Sequence, residues 1–448
     1  MLKKIALIST ILFAFSTTSV FQAAAAATAS ATVTVTPKTN CTPQAGTNQM
    51  AILAPCSTTV VTANQVTAPA PFAIAISDAA ASVLGTSIPI TVQAKGMTRV
   101  EVWMHGVLAT TLTAGANGIF TGTITPLATD IGPLRLRFNA YNVAVGSTPT
   151  IQLTGEYTLI RPGTPALVAN PAAAAGMTKI FDDTSIGKHV APGCAVGTWP
   201  RCTTWPTLSV ASGVYYLPKQ FNGQDYGNAA NMSPNSGSNP YTVLPSGDTR
   251  IRTTWSASFV DPYGYHRNAY SGFISTLSVN GTSAIGTVGD GYYELTWMIQ
   301  NGTCGKDGNN TCSVGSWPSF WALWSKSCPY GCETDGFEQY GNDVHYYQAG
   351  THRAGGGLYL QLDPYPNNPW GMAGDWHTSG VVISGGGTNA CMYLDNVKIG
   401  CGATAGPGAV GGSWVWMITQ ALGGGWVTNA PPAGYIDFYV RQLRIYKK

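Results

Sequence analysis

The stretch Glu333-Thr334-Asp335-Gly336-Phe337-Glu338 places three carboxylates within six residues, in a chain where only 10% of residues are charged. Trp317-Pro318-Ser319-Phe320-Trp321 precedes it, and Tyr340, Tyr346 and Tyr347 follow. On a regular strand Glu333 and Asp335 share a face, because side chains alternate with period two. Glu338 lies five positions from Glu333 and would point the other way. One extra residue in the strand restores the parity, and Gly336 sits where such a bulge is tolerated. Glu333, Asp335 and Glu338 then line one face, with Asp335 placed to share a proton with Glu333. Like charges held that close cannot all ionise, so their pKa values separate into an ionised group and a protonated one. Two carboxyl groups of that kind are what glycosidic bond cleavage requires. An acidic surface loop and a calcium site are the plainer readings of the same cluster. The apolar flanks, the lack of interleaved Lys or Arg, and Cys328 and Cys332 at its entry weigh toward catalysis.

The rest of the chain suits that reading. Gly (53) and Pro (28) are abundant and no amphipathic helical pattern appears, so short strands and turns are expected throughout. The formal net charge of +3 leaves no electrostatic case for nucleic acid or an anionic membrane. Gly355-Gly356-Gly357 and Gly385-Gly386-Gly387 lack the strand-to-helix context of a phosphate loop. Residues 1–27 carry Lys3-Lys4, an apolar run from Ile5 to Phe15 and the small residues Ala23 to Ala27, the pattern of a secretory signal. Secretion to the extracellular space or periplasm is therefore expected, with no membrane span and a monomeric protein. Ten cysteines fall in near-neighbour pairs: Cys41 and Cys56, Cys194 and Cys202, Cys304 and Cys312, Cys328 and Cys332, Cys391 and Cys401. Local disulfides fit these pairs better than metal sites, since no Cys-x-x-Cys is present.

In order along the chain, residues 28–66 read as an Ala/Thr/Pro-rich tether. Residues 67–160 contain about seven short alternating segments, the size and pattern of an immunoglobulin-like β-sandwich, with no chemistry of their own. Residues 161–176 are a Pro/Ala/Gly linker. Residues 177–448 hold most of the Trp, Cys and acidic residues and alternate to the end, as in Ile436-Asp437-Phe438-Tyr439-Val440. The fold class expected is all-β: an N-terminal Ig-like sandwich, then a two-sheet jelly roll.

The second region resembles glycoside hydrolase family 16 in its bulged, laminarinase-like form. The resemblance rests on an ordered series: Tyr270-Ser271-Gly272, Gly291-Tyr292-Tyr293-Glu294, Trp317-Pro318-Ser319-Phe320-Trp321, the acid motif, Trp376-His377-Thr378, Met392 to Val397, Gln420 to Trp426, and Asp437 to Arg441. It implies a concanavalin-like sandwich with a concave cleft, and endo-acting, retaining cleavage of β-linked polysaccharide. It implies Glu333 as nucleophile, Glu338 as acid/base and Asp335 as the assistant of Glu333. Thr334 and Gly336 depart from the usual aliphatic residues, and Phe273 stands where many members have Arg. A β-1,3 or β-1,3-1,4 glucan is the favoured substrate. Agarase-like or exopolysaccharide-degrading activity, transglycosylation, and non-catalytic carbohydrate binding are the alternatives. No cofactor is required. Trp317, Trp321 and Trp426, with Trp370 and Trp376 behind them, are the candidates for stacking on sugar rings. His345 is a candidate hydrogen-bond partner of the acids or the sugar, and His377 reads as structural. Asp437 is the candidate ligand of a structural calcium, with an Asp at a turn as the plainer reading.

Overall fold

The computed structural model describes residues 73–76, 84–142, 151–166, 168–188, 229–231, 239–260, 266–276, 290–299, 316–324, 333–339, 345–352, 357–367, 371–404, 414–422 and 434–448, with the two-residue strands 19–20, 32–33 and 51–52. The expected signal segment and tether otherwise lie outside these residues, as do Trp370, Trp426 and every cysteine except Cys391 and Cys401. Among the described residues no helix is long and apolar enough to cross a membrane. The chain divides into two compact units, Met1–Pro165 and Ala166–Lys448.

Seven strands build the first unit: β1 (Ala73–Ile76), β2 (Ile88–Gln93), β3 (Arg99–Met104), β4 (Val107–Ala114), β5 (Ile119–Ile124), β6 (Gly132–Tyr141) and β7 (Ile151–Arg161). They pair antiparallel in the order β7-β6-β3-β4-β5-β2-β1, and the two-residue strand Ala51–Ile52 adds to β1 in parallel as an eighth. β4 pairs with β3 over most of its length and with β5 only at Thr113 and Ala114. Both halves of the path bury one core that includes Ile90, Val92, Val102, Leu136, Phe138 and Tyr157. The alternation of small and branched apolar residues in β2, β3 and β6 supplies these inward positions. On the other face of β6, Arg135 is buried and paired with Glu156.

The second unit is a sandwich of two sheets. Its strands are β8 (Thr178–Asp183), β9 (Tyr241–Val243), β10 (Thr249–Val260), β11 (His266–Ser271), β12 (Phe273–Ser275), β13 (Gly291–Ile299), β14 (Ser316–Trp324), β15 (Glu333–Glu338), β16 (Tyr347–His352), β17 (Tyr359–Leu362), β18 (His377–Ser384), β19 (Asn389–Leu394), β20 (Val397–Ala403), β21 (Trp414–Leu422) and β22 (Gly434–Lys447). One sheet has ten strands, running β11-β10-β22-β13-β18-β19-β20, with β8 on β22, β9 on β10 and the short segment Ala229–Asn231 on β11. The other has six, in the order β12-β21-β14-β15-β16-β17. Aromatic rings join the layers. Trp297 of β13 stacks on Phe337 of β15 at 3.9 Å, and Tyr293 of β13 stacks on Trp416 of β21 at 4.7 Å. Phe320 and Phe438 complete this core. Buried aromatic pairs of this kind add to their area burial.

The hairpin from β19 to β20 turns at Asp395 and Asn396, with φ of 47° and 66°. A two-residue turn of this hand needs positive φ at both positions, which Asp and Asn tolerate best after Gly. Cys391 and Cys401 stand opposite one another in the same hairpin and form a disulfide, one of the five expected pairs.

Two of the expected features meet partners that the sequence does not show. Residues 168–174, read as linker, lie on the second unit: Arg444 donates to the carbonyls of Val168 and Ala169, Tyr446 donates to Asn170, and Ala174 packs on Tyr292 and Tyr446. Asp437, the candidate calcium ligand, sits inside β22, not at its start. Its two oxygens accept the Arg252 guanidinium at 2.6 and 2.7 Å, and Tyr439 adds a third donor. A guanidinium fork thus supplies the positive charge at this buried carboxylate. Asp437→Asn should lower stability by about 3 kcal/mol, because it leaves Arg252 without its charge partner. A calcium chelator should leave the melting temperature unchanged, and both effects are read from thermal melts of the full chain.

Candidate active site

The acid stretch is strand β15, between β14 and β16. Cross-strand pairs show how its side chains divide. Ser319 stands opposite Glu338, Phe320 opposite Phe337, Trp321 opposite Asp335 and Ala322 opposite Thr334. Phe320, Ala322 and Phe337 point into the core. Glu338 and Asp335 therefore belong to the outer face, and Glu333 follows two residues before Asp335. Gly336 is the residue without a partner, and the register of β15 against β16 also breaks between Asp335 and Glu338. The bulge falls where the sequence allows it. A Cβ at Gly336 would lie 3.0 Å from both Phe320 Cδ1 and Val381 Cγ2, so the site has room for little but glycine. The Gly336 carbonyl accepts the Tyr347 hydroxyl at 2.7 Å, which satisfies a ladder group that the bulge would otherwise orphan.

The three acids are recessed. Asp335 is 1% exposed and Glu338 7%. Glu333 and Asp335 bring carboxylate oxygens within 4.8 Å of each other. Both oxygens of Glu338 are held, Oε1 by the Trp317 indole N–H at 3.0 Å and Oε2 by the Gln348 amide at 2.7 Å. His352 stands opposite Glu333 in the register and brings Nε2 to 3.0 Å from Asp335 Oδ2.

Burial and mutual repulsion push all three carboxyl groups upward. Burial, then the charge of Asp335, raises Glu333 to about 8. Burial, then the charge of Glu338, holds Asp335 well above the usual carboxylate range. Burial, then the charge of Glu333, raises Glu338 to about 7, while the Trp317 and Gln348 donors pull it back down. Burial thus favours the protonated form of Glu333 at neutral pH as well as that of Asp335. Once neutral, Asp335 can donate to Glu333 and remove the largest charge opposing ionisation there. Glu338 titrates near neutrality, where a group that both gives and takes a proton works best.

The other expected site residues fall differently. Trp317, Ser319 and Trp321 share the outer face of β14, but Trp321 is buried. Its N–H donates to Thr419 at 3.1 Å and its ring lies 6.0 Å from Phe273, the residue in the place of the expected Arg. It is packed rather than open for a sugar. Trp317 is part-buried, and its N–H serves Glu338. Trp376 packs with Met298 and Tyr439 beneath Arg441, on the ten-stranded sheet. His345 pairs with Asp363, Nδ1 to Oδ1 at 3.1 Å, and the histidine beside the acids is His352. His377 is structural, bridging Asp395 at 2.8 Å and the Met372 carbonyl at 3.1 Å. Trp426 lies outside the described residues.

Gln348 and His352 were missed in the sequence. Both sit on β16 at even spacing, a pattern that places them on one face but does not say which strand they meet. Glu333, Asp335 and His352 keep their ligand atoms within 4.8 Å of one another, and of the described residues they alone are grouped in a way that could hold a metal ion. In this structure the imidazole itself is the partner of Asp335.

No protein-family model matches the chain, and no curated protein matches it. Solved structures do. The non-specific endo-β-1,3(4)-glucanase SCLam of glycoside hydrolase family 16 is 15% identical, covering 64% of this chain and 99% of that one, with a TM-score of 0.42. The laminarinase from Rhodothermus marinus is 13% identical, covering 60% and 97%, at 0.39. The catalytic domain of the endo-1,3-β-glucanase (laminarinase) from Thermotoga petrophila is 16% identical, covering 46% and 79%, at 0.36.

A carboxyl group whose pKa is raised on folding leaves stability intact below its unfolded value, and the stability is lost as pH climbs toward the folded one. Glu338→Gln or Asp335→Asn should therefore melt several degrees above wild type at pH 8, by roughly 2–4 °C for each kcal/mol recovered in a domain of this size. At pH 4 the difference should vanish. Thermal melts at the two pH values check it.

Proposed function

We propose that the chain is a retaining endo-β-glycanase that hydrolyses β-1,3 or β-1,3-1,4 glucan. The reading is carried by three carboxyl groups on one sheet face, Asp335 and Glu338 buried and Glu333 partly so, set there by the bulge at Gly336, with Trp317 and Gln348 on one end and His352 on the other.

The chemistry follows from the roles. Glu338, protonated, gives its proton to the glycosidic oxygen as the bond from that oxygen to C1 breaks. The Glu333 carboxylate attacks C1 from the opposite side and forms a glycosyl–enzyme ester. Asp335 holds its proton toward Glu333, which keeps two buried negative charges from facing each other. Glu338, now ionised, takes a proton from water. That water attacks C1, releases Glu333 and leaves the configuration as it began. The near-neutral charge of the chain suits an uncharged glucan. The Lys3-Lys4 and apolar segment, with the Cys391–Cys401 disulfide, supports export to an oxidising compartment.

The test is a product assay. Full-length protein is incubated with laminarin, mixed-linkage glucan, agarose and xyloglucan. Oligosaccharides from a β-glucan, born with the β anomer in early NMR spectra, are the expected outcome. Glu333→Gln should abolish them, and Glu338→Gln should slow their release by about a thousand-fold. Tight binding with no product from any of the four would sink the hydrolase reading.

A further inference from the structure

Glu338 is the end of a hydrogen-bonded chain that starts at the exposed edge of the six-stranded sheet. Glu338 stands opposite Gln348 in the register, Gln348 opposite Gln361, and Gly350 opposite Tyr359. Tyr347 and Ala349 are in the core, so Tyr346, Gln348, Tyr359 and Gln361 belong to the outer face with the acids. The Gln361 amide donates to the hydroxyl oxygens of both Tyr346 and Tyr359. Each of those hydroxyls donates to Gln348 Oε1, at 2.6 and 3.0 Å. Gln348 then donates from Nε2 to Glu338 Oε2 at 2.7 Å.

The donor count closes. A primary amide has two N–H groups, and Gln361 meets two phenol oxygens. Each phenol has one O–H, and although the two hydroxyl oxygens also lie 3.1 Å apart, the count lets both O–H groups go to the Gln348 carbonyl. Two donors on that oxygen fix which end of the Gln348 amide faces Glu338. Aligned in one direction, the bonds also polarise one another. Gln348 and Glu338 are both buried, whereas Tyr359 is 56% exposed, so the chain links a recessed acid to the surface.

We propose that Gln348 is the positioning residue of the acid/base Glu338, and that Tyr346, Tyr359 and Gln361 hold its amide in the donating orientation. The proposal takes the role of Glu338 from the reading above. Its consequence is a sign. Facing Glu338 are Glu333 and Asp335 on its own strand, Trp317 from β14, and Gln348 and His352 from β16, with Tyr346 beyond. Of these, Trp317 and Gln348 donate directly to its oxygens. Loss of the Gln348 donor weakens the carboxylate form and leaves the acid holding its proton to higher pH. Loss of the two phenol hydroxyls unfastens the amide and acts in the same direction.

The Trp317 indole N–H, bonded to the other oxygen of Glu338, reports its titration without turnover. Full-length protein with 15N-labelled tryptophan is titrated by NMR, the Trp317 signal being assigned with Trp317→Phe. In Gln348→Met the midpoint should rise by about one pH unit, the scale of a lost hydrogen bond to a charged group. In Tyr346→Phe/Tyr359→Phe it should rise in the same direction, and the high-pH limb of kcat/KM on glucan should move with it. An unchanged midpoint in Gln348→Met overturns the assignment of Gln348, and an unchanged midpoint in the double variant overturns that of the tyrosines. Because the titration needs no product, a wild type inactive on every glucan would sink the proposed hydrolysis and leave this test standing.

Discussion

One unpaired residue in β15 governs how the second unit is built around its acids. Without the bulge, Glu338 would point into the sandwich and Phe337 out of it. With it, Phe337 stacks on Trp297 across the layers while Glu333, Asp335 and Glu338 share the outer face. The two outcomes depend on each other, since the ring that anchors the strand also fixes the side on which the carboxyl groups emerge. Gly336 makes this possible in two ways. It leaves space that Phe320 and Val381 fill, and it presents a carbonyl to the Tyr347 hydroxyl. Thr334, where the resembling family has an aliphatic residue, is still fully buried.

Three other buried carboxylates of this unit are treated differently. Glu294 meets Arg444, Asp248 meets Arg441, and Asp437 meets Arg252. Each has a guanidinium partner, the usual condition for keeping a carboxylate charged out of water. The acids of β15 instead face one another, with an indole, an amide and one half-exposed imidazole around them. That arrangement opposes stability and favours chemistry, because groups kept near neutrality can exchange protons at working pH. Asp437 belongs with the guanidinium-paired acids through its pairing with Arg252. In a β-sheet rich in arginine, an acid finds a guanidinium more readily than it gathers the several oxygens that calcium requires.

Much of this was legible in the sequence, and the reason is local. Alternation specified strands, the odd offset between Glu333 and Glu338 specified a bulge, and Gly336 specified its place, since each depends only on spacing along one strand. What escaped were choices between like residues. His345 and His352 both follow the acid motif, and only the register of β16 sets His352 opposite Glu333. Trp317 and Trp321 lie on one face of β14, and only the neighbouring Phe273 and Thr419 decide that Trp321 is packed away.

By itself, then, the sequence determined an all-β chain whose three acids lie on one side of a single bulged strand. The tertiary structure alone decided what meets them: Trp317 and Gln348 at Glu338, His352 at Asp335, and behind Gln348 the tyrosines that orient it. Covalent spacing fixes the first, because side-chain direction along a strand repeats every two residues. The second depends on which strands pair and in what register, and that is settled by packing across the whole sandwich.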